Sequence, residues 1–339
     1  MRRPREPEPA APSSLARLLH AFPRAAVAVV GDFVADEYVY GETERVSREA
    51  PVLVVRYESS EIKAGCAGNA ALNLAALGVK VKALGVIGDD AQGATLVEVL
   101  ERGGVDTSGL IRLPERPTEA KTRVLAGGRS TRRQQMLRID RAPAEPLPAR
   151  VERLLVREVE RVGARSQAVL ASDYGSGAVG PAVKEALRRL RRKGLPVCAD
   201  SRYALRSFGG LTMVKPNEVE LEAASGVSVA GPGGLERAAR SLLRRLGGEM
   251  LLVTRGRNGM SLFRAGLPPV HIAAHGSLDA VDVTGAGDTV AAAFSAGLAA
   301  GGDPLDAARL ANVAGALVVQ KPGTAVVTRE ELAAELARP

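Results

Sequence analysis

Ala25-Ala26-Val27-Ala28-Val29-Val30-Gly31-Asp32 is an unbroken apolar run closed by a glycine and a carboxylate. A strand with one face in water would place a polar residue at every second position; this run has none, so it reads as a strand buried on both faces. The same grammar repeats outward from it. A short amphipathic helix over residues 14–20 precedes it. After it, helix-like segments alternate with short apolar ones: 67–77 then 81–87, 91–102, 151–162 then 168–171, and 179–192 then 196–199. Strand, helix and strand in succession require right-handed crossovers and a mostly parallel sheet. The fold expected is α/β: a doubly wound, mostly parallel sheet flanked by helices.

Two stretches break that rhythm. Residues 37–57 (EYVYGETERVSREAPVLVVRY) and 119–139 alternate β-formers with polar residues, and Gly127-Gly128 marks a turn within the second. Each is expected to be a strand pair outside the main sheet, together forming a small β-strand lid over the ligand edge or two plain surface hairpins. Residues 1–14 mix Pro, Arg and Glu without an apolar segment and read as a disordered tail, leaving residues 15–339 as one domain with the lid inserted.

The chain has 339 residues, 46% of them hydrophobic and 25% charged, which is a globular composition. Lys plus Arg (46) exceed Asp plus Glu (38), giving +8 and favouring anionic partners. Aromatic residues are 3% with no Trp, so a stacking platform for nucleic acid is poorly supplied; no nucleic-acid and no membrane partner is expected. Phosphorylated small molecules remain. The two cysteines, Cys66 and Cys198, are too far apart in sequence to form a CxxC pair, and only three histidines are present. Both facts suit a reducing cytoplasm and a chemistry built on carboxylates.

The segment richest in chemistry is Asp282-Val283-Thr284-Gly285-Ala286-Gly287-Asp288-Thr289, ahead of an apolar helix. Its glycines let an anion approach the backbone, and the helix start aims amides and a positive dipole end at the same spot. Asp288 reads either as a helix cap or as a general base beside that anion hole. Phosphoryl transfer to a hydroxyl needs a base and a hole together.

This segment closely resembles the signature of the ribokinase/PfkB family of carbohydrate kinases, and the resemblance extends over residues 25–336. It implies that Asp288 takes the proton from a sugar hydroxyl while the amides of Gly285, Ala286 and Gly287 stabilise the transferring phosphoryl group. Further blocks resemble the heptose 7-phosphate kinase branch, which makes heptose 1,7-bisphosphate for ADP-heptose and the lipopolysaccharide core. They are Gly31-Asp32 to Asp36, SREAPV at 47–52, AGCAGN at 64–69, KTRV at 121–124, QQMLRID at 134–140 and SDYGSG at 172–177. The substrate-binding residues expected are Asp36, Gly65, Asn69, Lys121, Arg123, Arg138 and Asp173. Asp36 suits vicinal hydroxyls, Asn69 serves as a helix cap or a ligand, and Lys121, Arg123 and Arg138 suit a phosphate or are solvated charges.

On the nucleotide side, Asn217 and Glu220 lie one helical turn apart. That spacing fits both a capping box and a hydrated Mg2+ site, and it matches the family's NxxE motif. Thr254 and Gly256 resemble the family's nucleotide loop, Thr284 belongs to the anion-hole segment, and Asn312 matches a position near the adenine. The cofactors implied are ATP and Mg2+, and a homodimer through the lid strands is a further expectation of the resemblance.

The sequence also departs from the branch. Cys66 stands for the second glycine of the sugar-side turn, Ser176 for a lysine, and Ser201-Arg202 for a Pro-Lys pair. No HxGH motif of a nucleotidyltransferase occurs, so phosphorylation without adenylylation is expected. Other readings are a PfkB-type kinase for ribose, a fructose phosphate or a nucleoside, and a catalytically silent binding regulator; Asp288, Gly285 and Gly287 together argue against the last. A dinucleotide oxidoreductase is excluded, because GDFVAD replaces GxGxxG after the first strand.

Overall fold

A computed structural model describes residues 14–128, 133–143, 145–276 and 279–338. Residues 1–13 of the expected tail lie outside it, and Ser14 already begins the first helix. In chain order the elements are α1 (Ser14–Ala21), β1 (Ala26–Gly31), β2 (Phe33–Val46), β3 (Leu53–Cys66), α2 (Ala67–Ala76), β4 (Lys80–Gly88), α3 (Ala91–Arg102), β5 (Val105–Leu113), β6 (Ala120–Gly127) and β7 (Gln134–Arg141). There follow α4 (Ala149–Gly163), β8 (Ala168–Asp173), α5 (Pro181–Arg192), β9 (Val197–Ser201), β10 (Met213–Val214), α6 (Glu218–Ser225), α7 (Gly234–Leu246), β11 (Met250–Thr254), β12 (Met260–Arg264), β13 (Val270–Ile272), α8 (Ala286–Ala299), α9 (Pro304–Val318) and α10 (Arg329–Leu336).

Nine strands form one sheet in the order β13-β12-β11-β10-β9-β8-β1-β4-β5. The apolar run of β1 lies in its interior, between β8 and β4 and parallel to both, and Val27, Ala28, Val29 and Val30 are all buried. Only β12, near one edge, is reversed, pairing antiparallel with β11 on one side and β13 on the other. One apolar layer, from α1, α2, α3, α8 and α9, covers one face of the sheet; a second, from α4, α5, α6 and α7, covers the other. Burial on both faces explains why the strands read as continuous apolar runs rather than alternating ones. No helix among the described residues is long and apolar enough to cross a membrane.

A second, four-stranded sheet in the order β3-β2-β6-β7 corresponds to the two segments that broke the α/β rhythm. Its first hairpin is longer than expected, pairing from Phe33↔Cys66 out to Val46↔Leu53. The hairpin therefore rises directly from the end of β1 and returns directly into α2. That rooting places the lid at the carboxyl end of the central strands, where open α/β sheets bind ligands.

Candidate functional site

The site forms where the carboxyl ends of β1, β8, β9 and β10 meet the start of α8. Gly285 caps α8 in the left-handed region, with φ +76°. A Cβ there would lie 2.4 Å from Asn69 Nδ2, so the position requires glycine twice, for conformation and for space. Asp288 falls in the first turn of α8, buried, and does not cap the helix. Its Oδ2 accepts from Asn69 Nδ2 at 2.8 Å, and its Oδ1 accepts from the Tyr174 hydroxyl at 2.8 Å. Burial raises the Asp288 pKa above the usual carboxylate range against the opposing pull of these two donors. A carboxylate held on both oxygens and made more basic by desolvation is suited to general-base work.

The expected anion hole differs in one detail from the sequence reading. The Ala286 amide donates to Val283 O at 3.2 Å, whereas those of Gly287 and Asp288 have no protein acceptor among the described residues. Asp282 fixes the approach to the helix, with Oδ1 accepting from Thr284 N at 2.9 Å and Oδ2 from Gly323 N at 2.9 Å. Thr284 itself is exposed.

Asn69 is neither exposed nor a helix cap. It lies inside α2, and Asn73, one turn on, donates to its backbone and side-chain oxygens at 3.0 and 3.1 Å while accepting from Thr289 Oγ1 at 3.0 Å. A buried amide network thus ties α2 to α8 and leaves the Asn69 amide aimed at Asp288. Satisfied networks of this kind fix geometry because each member is costly to leave unpaired.

Asp36, on β2, approaches the site from the lid. Gly65, two positions beyond its cross-strand partner Lys63 on β3, gives it room, since a Cβ there would sit 2.5 Å from Asp36 Oδ2. Asp36 Oδ1 accepts from Arg123 at 2.7 Å, and the Arg123 guanidinium also lies over the Tyr38 ring. The cross-strand register places Lys63, Lys121, Arg123, Arg138 and Asp140 on this same face of the lid. Lys121 reaches inward, its Nζ 3.9 Å from Cys66 Sγ and 5.8 Å from the centre of the Tyr174 ring.

Two expectations for substrate-binding residues need correction in position. Arg138 is half exposed and engages Asp140 through two 2.8 Å bonds, because β7 is an outer strand in water and its charges pair along it. Asp173 points away from the cleft, its Oδ2 accepting from Ser201 Oγ at 2.8 Å and its Oδ1 from Gly175 N at 3.2 Å. The next residue, Tyr174, in the loop beyond the strand, reaches Asp288 instead. The loop after β8 is fixed from below by Asp32, whose carboxylate accepts from the amides of Tyr174, Ser176 and Ala178 at 2.7, 3.1 and 3.1 Å.

Beside α8, a cavity of about 240 Å3 that opens to solvent is lined by Thr254, Gly256, Gly287, Asn312, Gly315 and Val319, mostly small or apolar. It suits a flat heteroaromatic ring. Asn312 Nδ2 donates to Ala273 O at 2.7 Å, so the side chain orders the cavity wall with its nitrogen and leaves its carbonyl oxygen. Asn217 and Glu220 form a reciprocal capping box at 2.8 and 2.9 Å, and both also line the cleft leading from this cavity to Tyr174. A backbone bridge joins Asn217 to Thr254. No cluster of three His, Cys, Asp or Glu side chains suited to direct metal binding occurs among the described residues.

Sequence reasoning did not single out Tyr174, Asp200 or Lys215. Asp200 and Lys215 pair at 3.1 Å, almost completely buried beside Gly287. Burial raises the Asp200 pKa to about 7 against the attraction of Lys215. The signal was available: each closes a short apolar run, at the carboxyl end of the sheet where ligands bind.

Cys66 is the one described non-glycine residue at positive φ, 55° with ψ −124°, at the turn into α2. This is the backbone that a glycine would adopt easily, and the thiol is buried and its pKa driven well up by that burial.

Residues 24–331 match the model of the pfkB family carbohydrate kinases. The bifunctional protein HldE of Trichlorobacter lovleyi is 41% identical over 308 residues, covering 90% of this chain and 62% of that protein. The protein of the same name from Citrifermentans bemidjiense is 42% identical over 310 residues, with 91% and 62% covered. The chain thus spans less than two thirds of the length of these curated relatives. Among solved structures, Arabidopsis thaliana ribokinase complexed with ribose and ATP aligns with a TM-score of 0.73 at 23% identity, covering 93% of this chain and 99% of that one. Escherichia coli phosphofructokinase-2 in complex with fructose-6-phosphate aligns at 0.74 and 18%, with 93% and 99% covered. With a ribokinase-like fold and this match over most of its length, the chain belongs to the pfkB family of carbohydrate kinases.

Proposed function

We propose that this kinase transfers the γ-phosphoryl group of ATP to the anomeric hydroxyl of D-glycero-D-manno-heptose 7-phosphate, giving heptose 1,7-bisphosphate for ADP-heptose and lipopolysaccharide core synthesis. The observation that carries the reading is the juxtaposition of Arg123 and Lys121 on the lid with Asp36 and the Asp288 base. The cations suit a phosphate already on the sugar, and Asp36 suits its hydroxyls. The relatives named HldE supply the choice of heptose over other sugars.

In this reading Asp288 accepts the proton of the anomeric hydroxyl as that oxygen bonds to the γ-phosphorus. The bond from phosphorus to the β–γ bridging oxygen breaks, and ADP leaves. The Gly287 and Asp288 amides face the developing charge, and Asn69 and Tyr174 hold the base in line. Asp36, Gly65, Lys121 and Arg123 hold the sugar phosphate, with Arg138 at the rim. Thr254, Gly256 and Asn312 hold the nucleoside, and Thr284 shapes the turn beside its phosphates.

The capping box takes Asn217 Oδ1 and Glu220 Oε2 and leaves Glu220 Oε1 and the Asn217 amide nitrogen, a set that fits a hydrated Mg2+ rather than a protein cage, so Asn217 and Glu220 would hold it through water. Magnesium would shield the phosphate charge of ATP. The unit is residues 15–339 with the lid inserted. A homodimer through the lid is the matching assembly, supported by Met136, Leu137 and Ile139, which stand 41, 55 and 54% exposed on β7.

ADP release measured across heptose 7-phosphate, ribose, fructose 6-phosphate and a nucleoside tests the reading. Heptose 7-phosphate is expected to give the highest kcat/KM by at least tenfold. Equal turnover of unphosphorylated ribose would sink it.

A further inference from the structure

Lys215 follows β10, where its amide continues the strand pairing by donating to Ala199 O at 2.9 Å. Its side chain is 5% exposed, yet it lines the cleft between Tyr174, Glu220 and Gly287 rather than the apolar core. Nζ lies 3.1 Å from Asp200 Oδ2 and 3.3 Å from the point where a Cβ on Gly287 would sit. Three carboxylates act on it from three elements: Asp200 on β9, Glu220 on α6 and Asp288 on α8. The ammonium therefore stands between the base and the nucleotide-side motif, against the backbone of the anion hole. It has three donors, and Asp200 takes one.

The positions where the heptose kinase branch carries lysines do not supply such a buried charge here. Ser176 is uncharged and hydrogen-bonds Glu119, and Arg202 lines the same cleft but is exposed, its guanidinium 5.8 Å from the centre of the Tyr203 ring. We propose that Lys215 is a catalytic residue that donates to the γ-phosphoryl group as it passes from ATP to the sugar, with Asp200 as the positioning residue that aims it. The proposal rests on the kinase reading of Asp288 and the α8 turn, and it does not depend on which sugar is the acceptor. Lys215 keeps its proton throughout; only the phosphorus–oxygen bonds described above form and break. A preorganised ammonium beside Gly287 would oppose the negative charge of the equatorial oxygens in a site shielded from water.

The test uses the full chain and four proteins: wild type, Lys215→Met, Asp200→Asn, and the double variant, which removes both charges while keeping similar volume. Calorimetry with Mg-AMP-PNP and Mg-ADP reads the γ-phosphate contact without any sugar. Lys215→Met is expected to weaken AMP-PNP tenfold or more and ADP less than threefold, and to lower kcat with the sugar phosphate by about 100- to 1000-fold, the usual loss for one preorganised donor. The double variant, folded by circular dichroism, is expected to stay as slow as Lys215→Met. A purely structural ion pair gives the opposite result, because removing both partners restores packing. Recovery of kcat and AMP-PNP affinity in the double variant, or equal losses for both nucleotides in Lys215→Met, overturns the proposal. Wild-type protein that ignores heptose 7-phosphate overturns the substrate reading alone, since the nucleotide measurements involve no acceptor.

Discussion

Replacing Tyr174 by Phe removes one oxygen atom from the site and leaves the ring beneath Lys121 in place. That oxygen donates to Asp288 Oδ1 at 2.8 Å, while Asn69 serves Oδ2 at the same distance. A hydrogen bond to a charged group contributes about 1.5–3 kcal/mol, and ~1.4 kcal/mol is a factor of ten in an equilibrium. Without the hydroxyl, burial dominates Asp288 further and its proton is held about 10- to 100-fold more tightly. The sign follows directly: the base must be unprotonated to act, so the acid limb of kcat/KM moves to higher pH. The other charged groups facing Asp288, Lys215, Asp200 and Asp36, are untouched. ADP release followed from pH 5 to 9 is therefore expected to show Tyr174→Phe losing about 10- to 100-fold on the acid side while staying within about threefold of wild type on the alkaline plateau. A uniform loss at every pH, with the acid limb unmoved, would refute the idea that Tyr174 tunes the base.

Cys66→Gly relieves a left-handed backbone that costs about 1–3 kcal/mol for a side-chain-bearing residue against about 0.5–1 kcal/mol of added chain entropy. The expected Tm in calorimetry is roughly 1–3 °C higher, and a lower Tm contradicts the strain. Gly285→Ala drives a methyl into Asn69 Nδ2 at a position with φ +76°, so kcat should fall by about 100-fold or more, as for loss of a preorganised donor; near-normal kcat would show that the Asn69–Asp288 alignment is dispensable. Arg123→Gln should raise KM for the phosphorylated sugar by about tenfold or more, whereas Arg138→Gln, exposed and paired with Asp140, should change it by less than about threefold. Equal effects would place the phosphate further out on the lid.

The doubly wound sheet was legible because its strands are buried on both faces, which leaves runs such as residues 25–30 with no polar break. The lid was legible for the opposite reason, since its strands alternate in water. Strand β5 and the antiparallel edge of β12 and β13 carry weaker patterns and were not foreseen. In the site, Asp288, Asn69 and Asp36 came from motif and strand position, but their mutual contacts did not: Asn69 reaches Asp288 across 219 positions, and Arg123 reaches Asp36 across 87. The first depends on the crossovers that fold α8 onto α2 and the second on the pairing of β6 with β2, which no local spacing records. Asp173 and Tyr174 show the limit most clearly: the motif named the residue that ends β8 bonded to Ser201, while the next one, in the loop, reaches Asp288.

The most direct measurement is phosphorus NMR of the reaction of Mg-ATP with heptose 7-phosphate, run with wild-type protein and with Asp288→Asn after both are shown to bind ATP. A new anomeric phosphate resonance and stoichiometric ADP are expected with the wild type, and neither is expected with Asp288→Asn over many wild-type turnovers. Bisphosphate formed at a comparable rate by Asp288→Asn, or no anomeric phosphate from the wild type, would contradict the assignment of this site as a heptose 7-phosphate kinase with Asp288 as its base.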